Sequence, residues 1–211
     1  MVEGSWACTI YLMRHGESEA NAKKIVQGQT DSSLTNDGKI QAAGVREALK
    51  DVRFDAIFSS DLGRSIQTAG IIRGERDVEI QTSRALREKS YGTFEGVDHN
   101  KFIDTLRVEF DRFEKELSVE ERWDHKAHPS IESDRELLQR FLGYIRKIVG
   151  EYSGKTILIV SHRFTIRMFL VSLGYSKYEN LKGGGLKYCG YAVVEADGDN
   201  FSVSTVVGQE D

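Results

Sequence analysis

The sequence predicts an α/β fold of three layers, with a mostly parallel central sheet between helices and a helical cap inserted over it. Three observations predict this. Short apolar runs recur along the chain with helical patterns between them, the alternation that parallel strands joined by crossover helices produce. The clearest run, KTILIVS at 155–161, is almost wholly apolar instead of alternating, as a strand covered on both faces must be. A charge-rich segment at 98–126, with a helical stripe of its own, interrupts the alternation.

The elements follow in chain order. CTIYLM, 8–13, is rich in strand formers and predicts a buried strand. Residues 17–25 predict a short helix, and QGQTDSS, 27–33, a polar loop. A helix then begins near Thr35 or Asn36, either of which suits an N-cap, with Ile40, Ala43 and Val45 as its apolar positions. FDAIFSS, 54–60, predicts a second buried strand, and 61–74 a helix with Leu62, Ile66, Ala69 and Ile72 on one face. VEIQTS, 78–83, alternates like a short edge strand. In the charged middle, Phe102, Leu106, Phe110, Phe113 and Leu117 recur at helical spacing and predict a helix laid on the body. Pro129, the chain's one proline, separates it from a further helix, SIESDRELLQRFLGYIRKIVGEY. After 155–161 comes a helix ended by Gly174, then two strand-like runs joined at Asp197-Gly198-Asp199-Asn200 as a hairpin. The expected organisation is a single domain over 1–211 with a cap insertion at about 92–136.

Composition narrows the function. With 39% hydrophobic and 29% charged residues, the chain resembles an ordinary soluble protein. At 211 residues it buries roughly 70% of its unfolded surface and needs no disulfide staples. A net charge of −4 argues against a nucleic-acid or anionic-membrane partner. No apolar run is long enough to span a bilayer, and MVEGSWACTI lacks the pattern of a signal peptide. Cys8 and Cys189, both in apolar stretches, are expected as buried small hydrophobes in a reducing compartment, so a cytoplasmic location is expected.

The chemistry gathers at strand ends. Open α/β sheets bind ligands beyond the carboxyl ends of their strands. The first strand ends in Arg14-His15-Gly16, the second in Ser59-Ser60 with Arg64 one turn into the next helix, and the strongest in Ser161-His162-Arg163. In a parallel sheet these tips meet at one edge. Two imidazoles and two or three guanidiniums suit a dianionic phosphate, because Arg forks bind phosphate oxygens bidentately and a helix N-terminus adds N–H donors. A neutral imidazole nitrogen can also attack phosphorus. Departure of an alcohol then needs a proton donor, and Glu88 in LREKSYGTFEG is the candidate. Gly16 lets the backbone approach a ligand or turn tightly into the helix. His99, His125 and His128 lie in the polar middle and are expected to be exposed; the last two are three apart, but no second pair supports a metal site. Ser161 lacks the Gly-x-Ser-x-Gly elbow of a serine hydrolase.

With LMRHGESEAN, QGQTDSSLTNDGKIQA, IFSSDLGRSIQTA, ALREKSYGTFEG and ILIVSHRFTIRMFL, the chain resembles the histidine phosphatase superfamily, the phosphoglycerate mutase-like family, from about Thr9 to about Gly174. The resemblance implies that His15 is the phosphorylated nucleophile, that Arg14, Arg64 and His162 complete the phosphate pocket, and that Glu88 is the proton donor. It implies substrate contacts for Asn21, Gln27, Gly28 and Tyr91. It implies no metal and no cofactor, and a small-molecule phosphate ester as the partner. Arg163 stands where many members carry a small residue; it either adds charge for a second phosphate, or faces solvent or an acid.

Three features favour hydrolysis over phosphate transfer to a second phosphoglycerate. His99 occupies the position where mutases resemble one another in a lysine. No Arg-Arg pair occurs between residues 98 and 140, and only 74 residues separate Glu88 from His162. The resemblance within the phosphatases is to fructose-2,6-bisphosphatase-type, α-ribazole and broad-specificity members, so the expected substrate is a sugar phosphate or bisphosphate. Where these often show Gly-Gly-Glu-[Ser/Thr], only Glu132-Ser133 match. The alternatives are a cofactor-dependent phosphoglycerate mutase and a non-catalytic phospholigand-binding protein.

Overall fold

The computed structural model describes residues 8–175 and 185–209; the expectation about the first residues' lack of a leader lies outside them. Six strands form one sheet: β1 (Cys8–Arg14), β2 (Ala56–Ser60), β3 (Ile80–Ser83), β4 (Lys155–Ser161), β5 (Leu186–Asp197) and β6 (Asn200–Gln209). Their order is β3-β2-β4-β1-β5-β6. The first four are mutually parallel, and β5 runs antiparallel to both β1 and β6. This is the mostly parallel α/β sheet that the sequence predicts.

The strand patterning explains the layers. Along β4, Ile157 and Ile159 face one side, while Leu158 and Val160 face the other. All four are fully buried, so both faces must be covered. On the first side lie α7 (Asp134–Glu151), through Phe141, Ile145 and Ile148, and α8 (Arg163–Ser172), through Ile166 and Phe169. On the second lie α2 (Asn36–Ala48) and α3 (Gly63–Arg73), with Ala69 and Ile72 of α3 and Leu49 just past α2 in the core. The caps agree with the sequence. Thr35 accepts from the Gly38 amide at 2.9 Å to start α2, and Ser133 with Glu136 forms a capping box at α7.

Three expectations change. Ile40 and Ile66, assigned to apolar faces, are 69% and 38% exposed. Ala43 is exposed too, and α2 turns Gly38 and Ala42 inward instead. The reason is close backbone approach. A Cβ on Gly38 would lie 2.1 Å from the Glu17 carbonyl oxygen, and one on Gly16 would lie 2.5 Å from the Gly38 carbonyl oxygen. Gly16, just past β1, therefore lies against the backbone of α2, where a side chain would not fit. Gly38→Ala should destabilise by ~3 kcal/mol, a Tm drop of roughly 6–12 °C. Thermal unfolding checks this, and an unchanged Tm would refute the contact.

The third change concerns the charged middle. It forms three short helices instead of one: α4 (His99–Thr105), α5 (Arg107–Lys115) and α6 (Val119–Asp124). Asp98 caps α4, and Ser118 opens α6 with a capping box to Glu121, so local polar side chains break the periodic stripe. Phe102 and Leu106 are buried and pack with Val26 and Ile131, whereas Phe110 and Phe113 are half-buried. The short α1 (Glu19–Ala22) completes the helices named.

Candidate active site

Register brings the strand tips together. β1 and β4 pair with Arg14 opposite Ser161, so His15 and His162 follow at the same sheet edge. The His15 amide donates to the Ser161 carbonyl at 3.0 Å, and the two imidazole centroids lie 5.0 Å apart. β2 lies beside β4 and delivers Arg64 from the start of α3.

His15 is almost fully buried, and its Nδ1 lies 2.7 Å from the Gly16 carbonyl oxygen. A carbonyl only accepts, so Nδ1 must donate and Nε2 carries the lone pair. Burial, then the positive charges of Arg64 and Arg14, hold its pKa well below the ordinary imidazole range. His162 is fully buried at the N-cap of α8. Its Nε2 lies 3.4 Å from Ser65 Oγ, and its Nδ1 has no hydrogen-bond partner among the described residues. Burial, Arg64 and His15 lower its pKa likewise. Both rings are thus neutral at physiological pH.

Two guanidiniums are held rigidly beside them. Arg64 donates to the Thr30 and Gly28 carbonyls, each at 2.8 Å, and pairs with Asp31 at 3.5 Å. Its Nε is buried with no hydrogen-bond partner among the described residues. Arg14 donates to the Leu186 carbonyl at 2.6 Å, and its guanidinium stacks 4.0 Å from the Tyr188 ring centre. Glu88 sits at the start of α8. Its carboxylate accepts from the amides of Phe164 and Thr165 at 3.1 Å each, from Thr165 Oγ at 3.0 Å and from its neighbour Lys89's amide at 2.9 Å.

Around these groups lies a pocket of about 390 Å³. Nine of the ten residues singled out from the sequence line it: Arg14, His15, Asn21, Gln27, Gly28, Arg64, Glu88, Tyr91 and Arg163. The tenth, His162, lies behind His15 and does not reach the lining. Asn21 and Gln27 are tied to the loop itself. Asn21 Oδ1 accepts from the Ser18 hydroxyl at 2.8 Å, and Gln27 Nε2 donates to that same hydroxyl at 2.7 Å. Tyr91 packs edge-on against Phe102, and burial pushes its hydroxyl pKa up.

Sequence reasoning missed Val26, His99, Phe102, Phe164 and Tyr188, which also line the pocket. His99 is exposed as expected, yet it stands at the pocket. His125 and His128 are half-buried instead of exposed. His125 packs on Phe113, and His128 Nδ1 lies 2.9 Å from Ser130 Oγ. Among the described residues no three His, Cys, Asp or Glu side chains gather as a metal site, and no helix is long and apolar enough to cross a membrane. Cys8 and Cys189 are buried free thiols, pushed up by burial to about 11 and about 12.

A larger depression of about 450 Å³ lies at the opposite end of the sheet, between Lys50–Asp55 and Arg76–Val78. Its Arg76 is occupied with the Ile72 and Leu49 carbonyls at 2.7 Å each, which closes the ends of α2 and α3. Among the described residues that line it there is no His, Cys or Ser beside a base.

Comparison with known proteins agrees with this geometry. The profile of the histidine phosphatase superfamily (branch 1) matches residues 10–208. The probable phosphoglycerate mutase GpmB of Citrobacter koseri is 37% identical over 153 residues, 72% of this chain and 68% of its own. The YhfR structure of Bacillus stearothermophilus superposes with a TM-score of 0.82 over 94% of this chain and 96% of its own, at 31% identity. The mycobacterial glucosyl-3-phosphoglycerate phosphatase shares the fold, with a TM-score of 0.80 over 95% of this chain and 98% of its own at 20% identity. With the family profile matched over 10–208, nearly the whole length, the chain belongs to the histidine phosphatase superfamily.

Proposed function

We propose that the protein is a metal-independent phosphomonoesterase that acts through a phosphohistidine on a small phosphorylated metabolite, a sugar phosphate or bisphosphate being the class to test first. The observation that carries this is the state of His15: its Nδ1 proton is engaged by Gly16 and its pKa is depressed, which leaves Nε2 as a neutral nucleophile beside two fixed guanidiniums. In the first step Nε2 attacks phosphorus and the bond to the leaving oxygen breaks. Glu88, in its acid form, protonates that oxygen. Arg14 and Arg64 offset the charge on the equatorial oxygens, and His162, whose ring packs 5.0 Å from that of His15, backs the nucleophile. In the second step Glu88, now a carboxylate, takes a proton from water as the water attacks the phosphohistidine. Asn21, Gln27, Gly28, Tyr91 and Arg163 hold the rest of the substrate, under the cap at about 92–136.

One observation favours a second reading. The GpmB relative is named a probable phosphoglycerate mutase. Against it stands the absence of an Arg-Arg pair from 98 to 140. Two assays separate the readings. Phosphate release is measured from sugar phosphates, bisphosphoglycerates, phosphoglycerates, nucleotides and phosphopeptides. Conversion of 3-phosphoglycerate is measured with catalytic 2,3-bisphosphoglycerate. Release should exceed conversion; conversion equal to or above release would make the protein a mutase. Ligand-induced stabilisation without turnover in either assay would make it a binding protein.

A further inference from the structure

We propose that Arg140 of α7 is the positioning residue for Glu88, fixing the loop that carries the acid. This rests on the reading of Glu88 as the proton donor. Arg140 is 23% exposed and Glu132, its acidic partner, 12%. All five N–H groups of the guanidinium are used. Nε donates to Glu132 Oε1 at 2.7 Å, and Nη2 to Glu132 Oε2 at 3.0 Å. Nη1 donates to the carbonyls of Ala85 and Arg87 at 2.9 and 2.8 Å, and Nη2 to that of Glu88 itself at 2.8 Å. The same Glu132 carboxylate accepts from the Ser90 amide at 3.0 Å, and the Glu132 amide donates to the Ser90 carbonyl at 3.0 Å. One side-chain pair thus holds the backbone at positions 85, 87, 88 and 90.

The loop needs this. Between the 3₁₀ turns Arg84–Leu86 and Gly92–Phe94 the chain lies in no strand, so its carbonyls have no ladder to satisfy them. The other end of Glu88, its carboxylate, is bound to the start of α8. Backbone bound to α7 and carboxylate bound to α8 place the acid from two directions, and α7 and α8 pack on the same face of the sheet. Only a planar fork supplies this pattern. A lysine carries the same charge but has three donors and no fixed plane.

The test uses the leaving group. A 2,4-dinitrophenolate departs without a proton, whereas an alkoxide from an alkyl phosphate such as glycerol phosphate needs one. Arg140→Lys should lower kcat/KM for glycerol phosphate at least about tenfold, a part of what general acid catalysis supplies. It should leave kcat/KM for 2,4-dinitrophenyl phosphate within about threefold, because that ratio reports the phosphorylation of His15 and not the later hydrolysis that both substrates share. The dinitrophenyl rate also reports that the variant is folded. Glu132→Gln, which keeps Arg140 in place but removes its fixed carboxylate, should show the same pattern more weakly. Glu88→Gln is run beside both. If Glu88→Gln shows the leaving-group dependence and both other variants lose activity equally on the two substrates, Arg140 is merely structural and the proposal falls. If Glu88→Gln itself shows no leaving-group dependence, the acid reading fails and the proposal fails with it.

Discussion

His15→Ala should reduce phosphate release by at least about 10⁴-fold, the scale on which enzymes respond to loss of their nucleophile, while leaving the protein folded and still able to bind phosphate. The structure separates these effects. The bonds that fix the backbone here, His15 amide to Ser161 carbonyl and Cys189 amide to His15 carbonyl, do not involve the imidazole. Truncating the ring loses one local contact, Nδ1 with the Gly16 carbonyl, so the stability change should stay near ~1 kcal/mol. Arg14 and Arg64 are held by carbonyls that do not move with the ring, so the affinity for inorganic phosphate, measured by calorimetry, should change by less than about tenfold. Acid quenching of the wild type should trap protein-bound phosphate, and the variant should trap none. Near wild-type release from the variant would remove His15 from the chemistry.

Much of the site was legible in the sequence because it depends on strand tips. Once β1, β2 and β4 are parallel neighbours, the residues that follow each must meet, and Arg14, His15, Arg64 and His162 do. Glu88 came from a different cue, a carboxyl in a loop just past a strand, and it too reached the pocket. What stayed hidden depends on contacts distant in sequence. Phe102 sits on a helical stripe and, by spacing alone, is a core residue; in the structure it is both core and pocket wall, because α4 folds back over Val26. Tyr188 and Phe164 look like ordinary apolar positions of β5 and α8, and their role follows from which end of those elements faces Arg14 and Lys89. Ile40 and Ile66 failed for the opposite reason. Periodicity finds an apolar face but not the distance of packing, and glycine-to-backbone contact at Gly38 turned α2 onto its small side. Glu132-Ser133 are all that matches the Gly-Gly-Glu-[Ser/Thr] pattern. They lie away from the pocket wall, yet Glu132 grips Arg140 and Ser90, and Ser133 starts α7.

Arg64→Met should lower kcat/KM by about 10²–10³-fold, the range for removing a preorganised donor to a developing anion, and should shift the acid limb of the pH profile upward. The two effects have one source. Arg64 is 1% exposed, so its charge acts through protein and not through water. That charge is the second cause, after burial, of the depressed pKa of both His15 and His162. A neutral His15 is the reactive form. In the wild type it stays neutral well below pH 6.5, so kcat/KM should not fall as pH drops through 6.5 on account of this ring. Removing the cation relieves the repulsion that opposes protonation, and the pKa rises toward the ordinary value while burial still holds it lower. The variant should therefore begin to lose activity at a higher pH than the wild type on the acid side, over and above its loss at pH 8. Arg64→Lys, which keeps the charge but cannot span the Gly28 and Thr30 carbonyls with one planar group, should lose rate with a smaller shift of that limb. A methionine variant whose acid limb coincides with that of the wild type would mean that Arg64 binds the phosphate without tuning the nucleophile. Geometry and electrostatics at the strand tips would then be separable functions of this side chain, and the neutrality of His15 would rest on its burial and on Arg14.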